Sequence, residues 1–334
     1  MEPPLDDQLR LIFTCCHPAL ALEAQVALTL KTLCGLSVEE LARAFLVGGA
    51  TMAQRLVRAK RKILAARIPY ELPAPERLAE RLEGVLRVVY LVFNEGYAPT
   101  HGAAALNAEL CREAIRLGRL LRGLLPAEGE IAGLLALALL QDSRRDARFD
   151  AAGDLVTLEE QDRGRWDRTA IAEGLRLAEA ALRRNGRGFY ALQAAIAALH
   201  ASAPGAEQTD WRQIAALYAV LLESHPSPIV ALNHAAAVGM ADGPARGLAR
   251  LAELERGGEL AGFHLLPAAQ ADLWRRLGRD VEAAAAYRAA LVTVGNAAER
   301  RYLERRLAEV TRPGAAGASG APGARPRSRG GRTA

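Results

Sequence analysis

Apolar residues recur three and four positions apart along almost the whole chain, as in Leu30 and Leu33 or Leu134, Leu135, Leu137 and Leu139, and no stretch alternates apolar with polar residues for long. A helix brings positions three and four apart onto one face, whereas a strand does so for every second residue. The spacing therefore predicts helices whose apolar stripes must be buried against one another. Composition points the same way. Apolar residues make up 51% of the chain and aromatics only 5%, so the cores must be built from Leu, Ala, Val and Ile, which suits helix packing better than sheets. The expected fold class is all-α.

A chain of 334 residues exceeds what one compact core usually organises. Pro and Gly clusters at 69–75, 97–102, 126–129, 185–188, 202–205, 226–228 and 242–244 punctuate the periodic segments and mark helix boundaries. After about Thr169 the intervals read as successive helical hairpins. The last of these, with Ala271 and Trp274 followed by Gly278, Ala283, Tyr287, Ala290 and Leu291, has the spacings of a tetratricopeptide-like repeat: small residues where helices cross and an aromatic filling the gap. The reading divides the chain into a first domain at 1–68, a helical domain at 69–168, hairpins at 169–310 and a basic tail at 311–334. Rich in Gly, Pro, Ala and Arg, the tail cannot bury enough apolar surface to order itself and is expected to be disordered.

Cys15, Cys16, Cys34 and Cys111 form no CxxC pair. Cys15-Cys16-His17 lacks further ligands at tetrahedral-site spacing, so no metal is expected there. With no leading apolar stretch of signal-peptide or membrane-span type, the expected location is the cytoplasm, without membrane contact. The formal charge is +5, unevenly spread. Ser37 to Arg67 holds seven basic and two acidic residues, and Thr311 to the end holds five arginines and no acid, leaving the remainder net acidic. Concentrated positive charge of this kind is the footprint of a polyanion contact.

The internal basic segment carries the most specific pattern. Ser37-Val38-Glu39-Glu40 has the form of a capping box, in which Ser37 caps a helix and Glu40 reaches back. That helix runs through Leu41, Ala42 and Phe45. Leu46-Val47-Gly48-Gly49 then changes the chain direction, and a second helix is expected from about Ala50 to Ala66. Met52, Leu56, Ala59 and Ile63 make its apolar stripe. The opposite face presents Ala53, Gln54, Val57, Arg58 and Arg61, flanked by Arg55, Lys60 and Lys62. Gln and Arg can pair with base edges, small apolar groups can approach a thymine methyl, and the flanking cations suit phosphates. A helix-turn-helix reader places such a second helix in the major groove.

The run LTLKTLCGLSVEELARAFLVGGATMAQRLVRAKRKI resembles region 4 of extracytoplasmic-function sigma factors. DDQLRLIFTCCHPAL before it, and YLVFNEGY, DSRRDARFDAAGDLVTLEEQDRGRWDR and PIVALNHAAAVGMADGP after it, resemble the subgroup with a long C-terminal helical extension, so that the likeness covers Asp6 to Val310. The resemblance implies that Ala53, Gln54, Val57 and Arg58 read bases of the −35 promoter element, and that Arg55, Lys60, Arg61 and Lys62 contact phosphates. It implies core RNA polymerase as a partner, and an extension that regulates activity in place of a separate anti-sigma protein. The helical array is expected to be a surface for polymerase, a regulatory protein or another part of the same sigma factor. Such factors carry a region 2 ahead of region 4, to hold polymerase and melt the −10 element. This chain begins almost at region 4, so the expectation is an N-terminally truncated sigma factor or a free DNA-binding fragment.

The alternative is a helical-repeat interaction protein with a vestigial reader. A third reading, a polymerase-independent regulator, would need dimerisation to gain affinity. Catalysis is not expected. Asn94, Glu95, Asp142, Asp146, Asp150, Asp154, Glu159, Glu160 and Asp162 interleave with Arg144, Arg145, Arg148, Arg163 and Arg165 in the manner of ion pairs that orient connections. His101, His200, His225, His234 and His264 show no ligand-type pairing, no nucleotide-binding glycine loop occurs, and no cofactor is expected.

Overall fold

A computed structural model of the chain describes residues 5–45, 47–97 and 107–312. Among these residues the fold is all-helical. The helices are α1 (Leu5–Cys15), α2 (Leu22–Leu33), α3 (Val38–Ala44), α4 (Gly49–Ala65), α5 (Pro75–Tyr97), α6 (Ala108–Leu124), α7 (Gly129–Asp142), α8 (Arg168–Arg184), α9 (Phe189–Ser202), α10 (Trp211–Ser224), α11 (Pro228–Asp242), α12 (Pro244–Gly257), α13 (Leu265–Arg276), α14 (Asp280–Thr293) and α15 (Ala297–Thr311). The extended pairing among them is a single isolated bridge between Phe149 and Leu155. The Pro and Gly clusters at 69–75, 126–129, 185–188, 202–205, 226–228 and 242–244 fall at helix boundaries. Residues 98–102 of one expected break, Leu46 of the expected turn, and 313–334 of the expected tail lie outside the described residues.

One apolar core runs from Leu9 to Ala194 and takes in side chains from α1 through α9. The expected division near residue 68 coincides with the α4–α5 connection, but the core crosses it, because α1 and α2 both pack on α5. Polar contacts pin the same seam. Arg81 donates to the Phe13 carbonyl (2.6 Å), and the Thr14 hydroxyl, shared between the Arg10 carbonyl (2.8 Å) and the Pro69 carbonyl (3.3 Å), lies on the same seam. From α7 onward each helix packs mainly on its sequence neighbours, with α7, α8 and α9 forming a tight trio. Closest approach there depends on Gly133, where a Cβ would sit 2.6 Å from the Ala191 backbone nitrogen. The Glu130 carboxylate accepts from the Tyr190 and Ala191 amides (3.0 and 3.1 Å), capping α9 from a neighbouring helix.

The α13–α14 hairpin buries Ala271, Ala283, Tyr287 and Ala290 together. Gly278 stands between the two helices at φ +68°, a left-handed conformation that Gly adopts without a Cβ penalty. The array then turns back on itself. Arg301 of α15 pairs with Asp154 and donates to the Gly153 carbonyl (2.8 Å), Arg305 donates to the Leu155 carbonyl (3.0 Å), and Arg306 pairs with Glu160 (2.5 Å). Arg276 of α13 pairs with Glu159 (2.6 Å). The long α7–α8 connection is thus fastened to the end of the described chain.

Cys15, Cys16 and Cys111 are buried and Cys34 is half-buried, all as free thiols. Burial pushes the Cys15 thiol up to about 11 and the Cys16, Cys34 and Cys111 thiols up to about 12. Such thiols stay protonated at pH 8, where the thiolate is the reactive form. Labelling of the native protein with a disulfide-exchange reagent at pH 8 is expected to run roughly tenfold or more slower than labelling of the unfolded chain. Rapid reaction of all four thiols in the folded protein would contradict this burial.

Candidate nucleic-acid interface

The local sequence around residue 40 makes a tight helix start. The Glu40 amide donates to the Ser37 hydroxyl (3.1 Å), and the Ser37 amide donates to the Glu40 carboxylate (2.6 Å), so two amides at the start of α3 are satisfied reciprocally. A short turn leads to α4, where Gly48 is the N-cap at φ −66°, ψ 147° with no side-chain cap. The helix is interrupted where the 46–49 run was expected to interrupt it, α3 ending at Ala44 and α4 starting at Gly49. Neither Gly48 nor Gly49 has positive φ, and nothing lies within 4 Å of a Cβ placed on Gly49.

Helix α4 packs on both α2 and α3. Met52, Leu56 and Ala59 are buried, Met52 at 0% exposure, and Ile63 packs against the same core. The 100° step per residue then turns Gln54, Val57, Arg58 and Arg61 outward as an i, i+3, i+4, i+7 set. All four are exposed, as are Lys60 and Lys62, while Ala53 and Arg55 are half-buried. Arg55 lies against Glu23 of α2, and the six exposed side chains are open to solvent.

Among the described residues, four of the five cations on and beside this face are uncompensated. Arg55 pairs with Glu23 of α2 at 3.5 Å. Among the described residues no carboxylate lies within ion-pair distance of Arg58, Lys60, Arg61 or Lys62. An open groove of about 740 Å³ runs beside the helix, between 19–24 at the α1–α2 turn and start of α2, and α4. Gln54, Arg55, Arg58 and Lys62 line it along α4. Sequence reasoning missed two members of the face, exposed Thr51 and Leu64, the latter 78% exposed. Thr51, three residues before Gln54, was findable from the helical period, whereas the far wall of the groove lies thirty residues upstream and leaves no local trace.

The other candidate groups are accounted for differently. Asp150 accepts from the Ala152 and Asp154 amides (2.9 and 2.8 Å), Asp162 from the Gly164 amide (2.8 Å), and Asp142 pairs with Arg145. Asp154, Glu159 and Glu160 face arginines of α13 and α15. Among the described residues no three His, Cys, Asp or Glu side chains converge as a metal site, and no helix is long and apolar enough to cross a membrane.

The stripe under α4 and its first turn make opposite demands on stability. Replacing Met52 with Ala should cost about 2–5 kcal/mol, since its cavity lies where three helices meet. Replacing Gly49 with Ala should add about 0.5–1 kcal/mol, because the new methyl meets nothing and the unfolded chain loses freedom. Chemical denaturation of the two variants checks both. Equal effects of the same sign would show that α4 does not sit in this core as described.

Residues 81–182, from within α5 to near the end of α8, match a family model described as a family of unknown function (DUF6596). An uncharacterized protein of Rhizobium meliloti (strain 1021) is 48% identical over 302 residues, which cover 90% of this chain and 71% of the relative. Identity at that level across both the α4 unit and the helical array means that this chain belongs to the same protein family as the Rhizobium protein.

Proposed function

We propose that this chain takes part in transcription initiation, with α4 lying in the major groove of duplex DNA as region 4 of an extracytoplasmic-function sigma factor does at the −35 element. The observation that carries this reading is the outward face of α4, where Arg58, Lys60, Arg61 and Lys62 stand exposed around Gln54 and Val57 with no carboxylate partner among the described residues. Arg58 and Gln54 would pair with base edges, with Val57 and Ala53 against thymine methyls. Arg55, Lys60, Arg61 and Lys62 would hold phosphates. Core RNA polymerase is the proposed partner, and the helical array the proposed surface on which activity is tuned by a regulatory protein. The engagement of the acids between 142 and 162 in turns and long-range pairs supports a binding role rather than catalysis.

A single small reader buries roughly 600–1,000 Å² of protein surface on DNA, and each good base contact discriminates by about 1–3 kcal/mol. Binding by the isolated chain is therefore weak, and polymerase supplies the remaining affinity by holding the reader near its site. Release of phosphate counterions makes this binding steeply salt-dependent.

The test is a binding titration on duplexes selected from a random pool by the purified chain. Gln54→Ala and Arg58→Ala should each remove about 1–3 kcal/mol of discrimination between selected and random duplexes while folding is kept. Arg61→Ala should weaken both alike and reduce the salt slope by about 1. Absent or salt-insensitive binding, or selectivity unmoved by the first two substitutions, would favour a vestigial reader on a protein-interaction module.

A further inference from the structure

Where the array closes on itself it encloses a second, quite different space. A cavity of about 250 Å³ lies among the α7–α8 connection, the start of α10, α11, α13 and α15. Arg163, Arg275, Arg276 and Arg306 line it, with His200, Trp211, Tyr302 and Met240. A smaller pocket of about 110 Å³ shares His200 as a wall and adds Arg144. Asp272 pairs with Arg275 and Arg276, Glu159 with Arg276, and Glu160 and Glu309 with Arg306, so that Arg163 is the lining guanidinium with no ion pair among the described residues.

The hydrogen bonding of this lining is incomplete. Arg163 spends Nη1 on the His200 and Ala203 carbonyls (2.8 Å each) and stacks its guanidinium 4.4 Å from the Trp166 ring centre. Among the described residues its Nη2, His200 Nδ1 and Arg275 Nε are buried without a hydrogen-bond partner, while Arg275 Nη2 pairs with Asp272 (2.5 Å). Among the described residues Arg144 and Arg163 are paired to no carboxylate: the first donates to the Tyr97 hydroxyl (2.9 Å) and the second to carbonyls. Burial, and the charges of Arg144 and Arg163, lower the His200 pKa to about 4, so the imidazole is neutral at pH 7. Partly buried guanidinium groups without a counter-charge are costly, and folded proteins usually supply a partner. Here the chain supplies only part of one.

We propose that this cavity binds a small organic anion, a compact carboxylate or phosphate head held by Arg163, His200 and Arg275 with a short apolar or aromatic body against Trp211 and Met240. The volume falls just below the range of drug-sized pockets, which limits the ligand to a small metabolite. Its walls come from both ends of the array, so an anion seated there would fasten α13 and α15 more firmly to the 143–167 connection. The site is remote from α4 and does not depend on the DNA-reading proposal.

The chain holds three tryptophans, and Trp211 lines the cavity while Trp166 stacks on Arg163. Intrinsic fluorescence of the full chain, titrated with phenyl phosphate, benzoate and inorganic phosphate at matched ionic strength, therefore reads occupancy. Saturable binding of phenyl phosphate or benzoate is expected, and which of the two binds identifies the head group. The affinity should fall at least tenfold in Arg163→Gln and be unchanged in Arg183→Gln, an exposed α8 residue far from the cavity. Trp211→Phe should remove most of the signal while the midpoint of a thermal shift still rises with ligand. If Arg163→Gln does not fold, His200→Gln and Arg275→Gln carry the same expectation. No saturable binding of any probe, a response matched by chloride, or affinity equal in the cavity variants and Arg183→Gln would overturn the proposal.

Discussion

Burial of the Met52, Leu56 and Ala59 stripe is the contact on which the rest of α4 depends. A helix rotates its residues by a fixed step, so once this stripe is locked against α2 and α3, the direction of every other side chain on α4 follows. Gln54, Val57, Arg58 and Arg61 face outward because their neighbours cannot. The shared core that extends to α9 then joins the α1–α4 unit to α5 through α1 and α2 rather than through a free linker. A cationic face on a packed helix is pre-organised, which lowers the ordering cost of contacting a polyanion.

The second half of the molecule is held by a different principle. Helices that pack on their sequence neighbours build an open, quasi-one-dimensional array. This one is closed by arginines of α13 and α15 reaching back over more than a hundred residues to Gly153, Asp154, Leu155, Glu159 and Glu160. Isolated surface ion pairs contribute little, but several at one seam share the entropy cost of ordering a single connection. The closure also creates the arginine-lined cavity, so its position follows from the architecture rather than from any one helix.

Much of the helical framework was legible in the sequence, because short-range signals set it. The capping box at Ser37 and Glu40 and the stripe of Met52, Leu56, Ala59 and Ile63 are local patterns with local consequences. Pro and Gly punctuation placed helix ends for the same reason. What escaped were relations between distant residues. The interleaved acids and arginines from 142 to 165 suggested pairing among themselves, and Asp142 with Arg145 does so, but Asp154, Glu159 and Glu160 take their partners from α15 and α13. The core that ignores the α4–α5 boundary and the groove between α2 and α4 are likewise products of tertiary packing. At Gly48 and Gly49 the local signal placed the break between α3 and α4, although neither glycine uses a left-handed conformation there.

The central claim is that duplex DNA meets this protein along the outward face of α4. Amide hydrogen exchange of the full chain, with and without a saturating duplex at low salt, tests it most directly. The account predicts that added protection concentrates in residues 49–65 and the facing 19–24 segment and disappears as salt is raised. Protection confined to the helical array, or no change in α4 at saturation, would contradict it.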